Sequence, residues 1–147
     1  MTEVNFHEDS VVTEDKLIIA VIATRYKDKW VFCRHKKRNT FEMPAGRKEK
    51  NESIDTTAKR ELYEETGALE FDIFPISVYS VTENNETNYG KLFFAEIKEL
   101  KKIPEGSEMD YFILSDTLPD KLTYAYIQTK LFEKARTFVN TFFSSSF

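Results

Sequence analysis

The chain has 147 residues, 41% of them hydrophobic and 31% charged, a balance that suits one globular domain and excludes a fully disordered chain. The net charge of −4, from 25 acidic against 21 basic residues, argues against a general binder of nucleic-acid polymers. No apolar run approaches the ~18–20 residues of a membrane span, and the acidic start MTEVNFHEDS lacks the basic-then-apolar pattern of a secretory signal.

Residues 1–16 read as an acidic lead-in, in which Val4 and Phe6 alternate as an edge strand would. A single domain is expected over 17–143, because no repeat and no Pro/Gly-rich linker divides it. Leu17–Tyr26 is rich in β-branched residues and reads as a central strand. Lys27-Asp28-Lys29 is a turn, and Trp30–Arg34 returns as a second strand. Cys33, the only cysteine, excludes an internal disulfide and reads as a core residue. With two histidines it makes no zinc-site spacing, and a reducing, cytoplasmic setting is the expectation. His35–Thr40 is a basic loop, and Pro44-Ala45-Gly46 is a break. A helix is expected from Glu52 to Thr66, stopped by Gly67.

Beyond it, Leu69–Thr82 reads as strand interrupted by Pro75, Glu83–Tyr89 as a polar turn and Lys91–Ile97 as strand. Lys98–Ser107 reads as loop, Glu108–Leu114 as the last strand, and Tyr126 to Phe142 as a closing helix. The order predicts an α/β fold, a mixed sheet with helices packed on its faces.

The chemistry concentrates in Gly46 to Ala68, GRKEKNESIDTTAKRELYEETGA. At ~100° per residue, Ile54, Ala58 and Leu62 form the apolar stripe of the helix. Glu61 lies beside that stripe, with Glu64 and Glu65 one turn further on. Like charges at these spacings destabilise a helix by a few tenths of a kcal/mol per pair. The helix C-terminus disfavours anions as well. A solvated acidic face is the plain reading of such a helix. A bound divalent cation is the reading that compensates the repulsion, and hard oxygen ligands suit Mg²⁺, with Mn²⁺ second.

The segment fits G-x5-E-x7-R-E-U-x-E-E-x-G-U, where U is aliphatic, through Gly46, Glu52, Arg60, Glu61, Leu62, Glu64, Glu65 and Gly67. Only Ala68 is a soft match at the last position. This pattern resembles the signature of the Nudix hydrolases, and the Phe41-Glu42-Met43-Pro44-Ala45-Gly46 lead-in resembles the MutT-like members. The resemblance covers roughly residues 17–140, with low sequence specificity outside 41–68.

The resemblance implies the Nudix fold, a mixed β-sheet sandwiched between α-helices. It implies that Glu61, Glu64 and Glu65, with the carbonyl of Gly46, hold Mg²⁺ at a pyrophosphate. Arg60 would hold a carboxylate of the motif in place, and Glu52 would start the helix or support the ligands. Relatives differ over the general base: Glu64, Glu65 or a carboxylate from a later segment. Glu108 is the first candidate for that later carboxylate and Glu96 a weaker one.

Arg34 and His35 stand where MutT-like relatives place a phosphate contact, whereas Lys37 and Arg38 read as solvated loop. Tyr124 falls near the position where guanine-selective relatives read the base with an amide. Tyr126 offers stacking there, and Gln128 faces either the core or the site.

The implied activity is hydrolysis of a small nucleotide, most simply a nucleoside triphosphate cleaved to monophosphate and pyrophosphate. Nucleotide sugars and dinucleotides stay open as substrates. The rival is a non-catalytic module of the same fold that binds a nucleotide or a partner. Such modules typically lose motif carboxylates, and all are present here. Phe142, Phe143 and Phe147 cap the core or, if exposed, make a homodimer contact.

Overall fold

The computed structural model describes residues 1–143. Eight strands and two α-helices follow in order: β1 (Glu3–His7), β2 (Leu17–Tyr26), β3 (Lys29–His35), β4 (Phe41–Glu42), β5 (Ala45–Arg47), α1 (Ile54–Thr66), β6 (Ala68–Glu83), β7 (Glu86–Leu100), β8 (Met109–Ser115) and α2 (Ala125–Phe142). The strands form one mixed sheet in the order β1-β6-β7-β2-β3-β4, with β5 also on β2 and β8 also on β3. The β2–β7 pair is parallel and the other pairs are antiparallel.

Alternation along the central strand builds two cores. Ala20 and Ile22 face the side that receives Ile54, Ala58 and Leu62 of α1. Val21 and Ala23 face the opposite side, with Leu131, Phe132 and Ala135 of α2. A strand covered on both faces reads as a continuous apolar run, which is how LIIAVIA appears in the sequence. The two helices therefore sandwich the sheet. No helix among the described residues is long and apolar enough to cross a membrane.

Several boundaries differ from the sequence expectation, each for a local reason. Helix α1 starts at Ile54, not Glu52, because the Ser53 side chain caps it by accepting the Thr56 N–H at 3.1 Å. A carboxylate from the N-terminal lead-in, Glu14, accepts the Ile54 N–H at 3.2 Å and pairs with Lys48. Residues 1–16 are thus tied into the fold, since β1 also forms the edge of the sheet against β6. Gly67 ends α1 as expected, at φ +82° with its N–H on the Tyr63 carbonyl.

Pro75 does not interrupt β6. It pairs with Phe93 next to a register shift against β7, the kind of place where a sheet tolerates proline. The expected seven-residue polar turn shrinks to Asn84-Asn85, both at positive φ (51° and 63°), a two-residue hairpin turn matched to strand twist. The closing helix begins at Ala125, one residue before the expected start. Phe41–Glu42 and Ala45–Arg47, read as a lead-in and as a break running into loop, are short strands. Gly46 lies opposite Ala20 of the central strand, so the motif's first glycine is clamped to the sheet. Phe143 packs its ring on Phe74 and Phe94, while Phe142 is 64% exposed. Phe147 lies outside the described residues.

Candidate active site

The site is built on the face of α1 that meets the β5 loop, and Arg60 is its hub. Its Nε and Nη2 donate to the two oxygens of Glu52 at 2.7 and 2.9 Å. Its Nη1 donates to Glu61 at 2.9 Å and to Glu64 at 3.2 Å. Nη2 also donates to the Arg47 carbonyl at 3.0 Å, which ties the helix to the loop. Glu52 additionally accepts from the Glu49 N–H and the Thr57 hydroxyl. These donors, Arg60 first, hold the Glu52 carboxyl down to about 2. Glu52 is thereby committed to Arg60 as its fixed counter-ion.

The remaining carboxylates are under-compensated. One guanidinium faces Glu52, Glu61 and Glu64 together. Burial, then its hydrogen-bonded neighbour Glu64, pushes the Glu61 carboxyl up to about 8 against the pull of Arg60. Glu65 is 6% exposed, and burial pushes its carboxyl well above the ordinary range. A single backbone donor, the Ala45 N–H at 2.9 Å, opposes that. The negative charges of Glu61, Glu42 and Glu108 add to it.

A Cβ at Gly46 would overlap the Glu61 carboxylate as it lies, so any larger residue there would make that side chain turn aside.

Whether a hard divalent cation fits can be judged from this donor set. Several carboxylate oxygens meet on one rigid face, two of them held protonated-prone by burial and mutual repulsion. That is the chemistry a divalent cation offsets. Among the described residues no three acidic, histidine or cysteine side chains converge closely enough to cage an ion as they stand. Arg60 instead draws Glu61 and Glu64 to itself. The donor types are those a hard divalent cation takes.

These residues form the floor of a cleft of about 610 Å³. His35, Arg38 and Glu42, the Pro104–Met109 segment and Tyr124 complete its lining, with His35 and Glu108 side by side. Of the residues singled out from sequence, Gly46, Arg60, Glu61, Glu64, Glu65, Glu108, His35 and Tyr124 all line it. Arg34 is not among the lining residues. It pairs with Asp110 at 3.2 Å, and its guanidinium lies over the Tyr111 ring at 5.6 Å.

Glu96 is not in the lining either: it pairs in register with Arg25 and Asp72 on the neighbouring strands, half-buried. Gln128 is taken by the fold, its Oε1 accepting the Met43 N–H at 2.9 Å from a buried position. Tyr126 points its ring at Lys130. Cys33 is fully buried, with its thiol toward the Glu65 carbonyl at 3.7 Å.

Arg38, expected as solvated loop, lines the cleft instead, and so does Glu42, expected only as part of the lead-in. They pair at 3.0 Å across four positions of chain. The signal was an arginine and a glutamate bracketing Phe41, but a charged loop conceals which members face inward.

Residues 15–126 match the family model described as NUDIX domain. YtkD of Bacillus subtilis (strain 168), provisionally named an 8-oxo-dGTP diphosphatase, is 29% identical over 102 residues, 69% of this chain. That match spans 64% of YtkD, less than two thirds of its length. The Bacillus subtilis pyrophosphohydrolase BsRppH, as its E68A mutant, superposes with a TM-score of 0.80 at 23% identity. That superposition covers 95% of this chain and 92% of the other. The NUDIX domain of Shewanella oneidensis NrtR, complexed with ADP ribose, superposes at 0.66 with 14% identity, covering 90% and 94%. Both structural likenesses lie at identities where they speak for the fold.

Proposed function

The chain belongs to the Nudix hydrolase family, and from that premise we propose that it is a Mg²⁺-dependent pyrophosphohydrolase of small nucleotides, with nucleoside triphosphates as the substrate class. The observation that carries this reading is the cleft lining, where Glu61, Glu64 and Glu65 lie together and, among the described residues, Arg60 is the one guanidinium hydrogen-bonded among them. Glu61, Glu64, Glu65 and the Gly46 carbonyl would hold the ion, Mn²⁺ serving as a second choice. When bound, the ion supplies neutralisation of the phosphate oxygens and a lowered pKa for water.

The chain's own residues do the rest. Arg60 keeps the motif carboxylates oriented by charge-assisted hydrogen bonds. Arg38, rather than Arg34, faces the cleft and is the cation for the substrate's phosphates. Glu108 lines the cleft beside His35 and takes the proton of the attacking water at its carboxylate. Tyr124, 66% exposed at the rim, offers an aromatic face to the base. A homodimer through the exposed Phe142 belongs to the same proposal and is read by light scattering on the purified chain.

The test is phosphate and pyrophosphate release from a panel of nucleoside triphosphates, nucleotide sugars and dinucleoside polyphosphates, with Mg²⁺ and with excess chelator. The name of YtkD adds 8-oxo-dGTP to that panel. Mg²⁺-dependent conversion of triphosphate to monophosphate and pyrophosphate is the expected result. Binding of the same nucleotides with no turnover would make this a sensing module instead.

A further inference from the structure

His35 ends β3 and Met109 begins β8, and the two pair across a register shift in the ladder. Glu108 therefore leaves the sheet directly beside His35, and the Lys36 N–H holds the Glu108 carbonyl at 2.9 Å. The His35 ring is 14% exposed, so it is a fixed object, whereas the Glu108 side chain is 78% exposed. Among the described residues His35 Nε2, at 3.5 Å, makes the one side-chain contact to that carboxylate.

The other ring nitrogen decides the chemistry. His35 Nδ1 accepts the Lys37 backbone N–H at 3.0 Å. A backbone N–H can only donate, so Nδ1 carries its lone pair and the proton of the neutral ring sits on Nε2. The ring is held from behind with its N–H aimed at Glu108. At 3.5 Å the contact is long for a hydrogen bond, and such contacts tighten when a site is loaded.

We propose that His35 is the positioning residue for Glu108: the Lys37 N–H selects the tautomer, and the Nε2–H points the Glu108 carboxylate into the cleft. The proposal rests on the reading of Glu108 as proton acceptor. It assigns His35 a task different from contact with substrate phosphate, and needs no change in the charge of the ring.

Two conservative variants separate this role from a structural one. Gln carries an N–H near the place of Nε2 and lacks the acceptor at Nδ1. Asn carries an oxygen near the place of Nδ1 and lacks the donor at Nε2. The expected result is that His35→Asn lowers kcat about tenfold, the scale of one charge-assisted hydrogen bond, with KM little changed. His35→Gln is expected to stay well above His35→Asn. If the ring merely braces the turn at Lys37, the order reverses, and that order overturns the proposal. Equal loss in two variants of parental Tm overturns it too.

Glu108→Gln distinguishes the two readings. If it leaves kcat at the parental value, the proton-acceptor reading fails and takes the proposal with it. If it lowers kcat strongly while the His35 variants are silent, the proposal alone fails. The unmodified protein supplies a further measurement, independent of how any variant folds. The ¹⁵N shifts of His35 are expected to report a protonated Nε2 and a bare Nδ1, and a ring protonated at Nδ1 would refute the tautomer on which the proposal stands.

Discussion

At the scale of single residues, the cleft holds more carboxylate than its own cations compensate. Glu64 and Glu65 differ in what they cost the fold, although both belong to the proposed metal set. Glu65 is buried with one backbone donor, and Gln in its place still accepts the Ala45 N–H through its amide oxygen. Glu64 is half exposed and shares Arg60 with Glu61. Glu64→Gln and Glu65→Gln are each expected to lower kcat by orders of magnitude at unchanged or slightly raised Tm. Parental turnover in either variant removes that residue from the metal set.

The same imbalance sets a pH profile. The Glu61 carboxyl stands at about 8, above its ordinary 4.5, so the folded metal-free chain binds more protons than the unfolded chain between those values. Its stability therefore falls as pH rises through 8. Glu52 is the opposite case. Its carboxyl is held down to about 2, so the stability it contributes is present above pH 4.5 and is lost as pH falls toward 2. In chelator, Tm is expected to rise on acidification from pH 8 toward 4.5 and to decline below it. Glu61→Gln is expected to make the upper limb shallower, buried Glu65 supplying the remainder, and to leave the lower limb unchanged. A metal-free Tm that climbs steadily between pH 4.5 and 8 would contradict the assignment.

At the scale of elements, helix α1 is held in register by devices at both ends. The Ser53 side chain caps its start, a contact whose loss to Ala costs about 1 kcal/mol. Gly67 closes it in the left-handed region, and its carbonyl accepts the Lys101 N–H at 2.9 Å. A Cβ at Gly67 would run into the backbone carbonyls of Lys101 and Lys102 as well as being strained at φ +82°. Gly67→Ala is expected to destabilise by more than about 1 kcal/mol, since backbone conflict adds to the positive-φ cost. Denaturant unfolding measures this, and a loss within a few tenths of a kcal/mol would mean the segment at 101–102 gives way freely. The consequence reaches the cleft, because that segment leads into the wall that carries Glu108.

At the scale of the whole molecule, the cleft is assembled from segments far apart in sequence: the β5 loop, α1, the Pro104–Glu108 segment and the start of α2. In the proposed reading, base recognition depends on what that last junction presents. The amide oxygen of Gln128 there is taken by the Met43 N–H, and Tyr124 presents an aromatic ring to the cleft. Stacking is worth ~1–3 kcal/mol per base and is blind to base identity. Weak discrimination among purine triphosphates is therefore expected. In kcat/KM measured on dGTP, 8-oxo-dGTP, dATP and dCTP, a preference for the oxidised guanine beyond roughly a hundredfold would show a base-specific hydrogen-bonding site and overturn this.

The sequence by itself determined the central strand, helix α1 with its glycine stop, and the carboxylate set. Those signals are local: β-branched runs, helical spacing and fixed intervals of Gly, Arg and Glu are written within some 25 residues of chain. Only the tertiary structure decided which members of the basic loop face the cleft. Arg34 and Arg38 are equivalent as charges, and it is β8 that supplies Asp110 and Tyr111 to draw Arg34 aside. It also decided that Gln128 serves the core and that Glu14, from the lead-in, caps the helix forty positions later. Pairings between residues so distant leave no periodicity in sequence, because they depend on which surfaces the sheet order brings together.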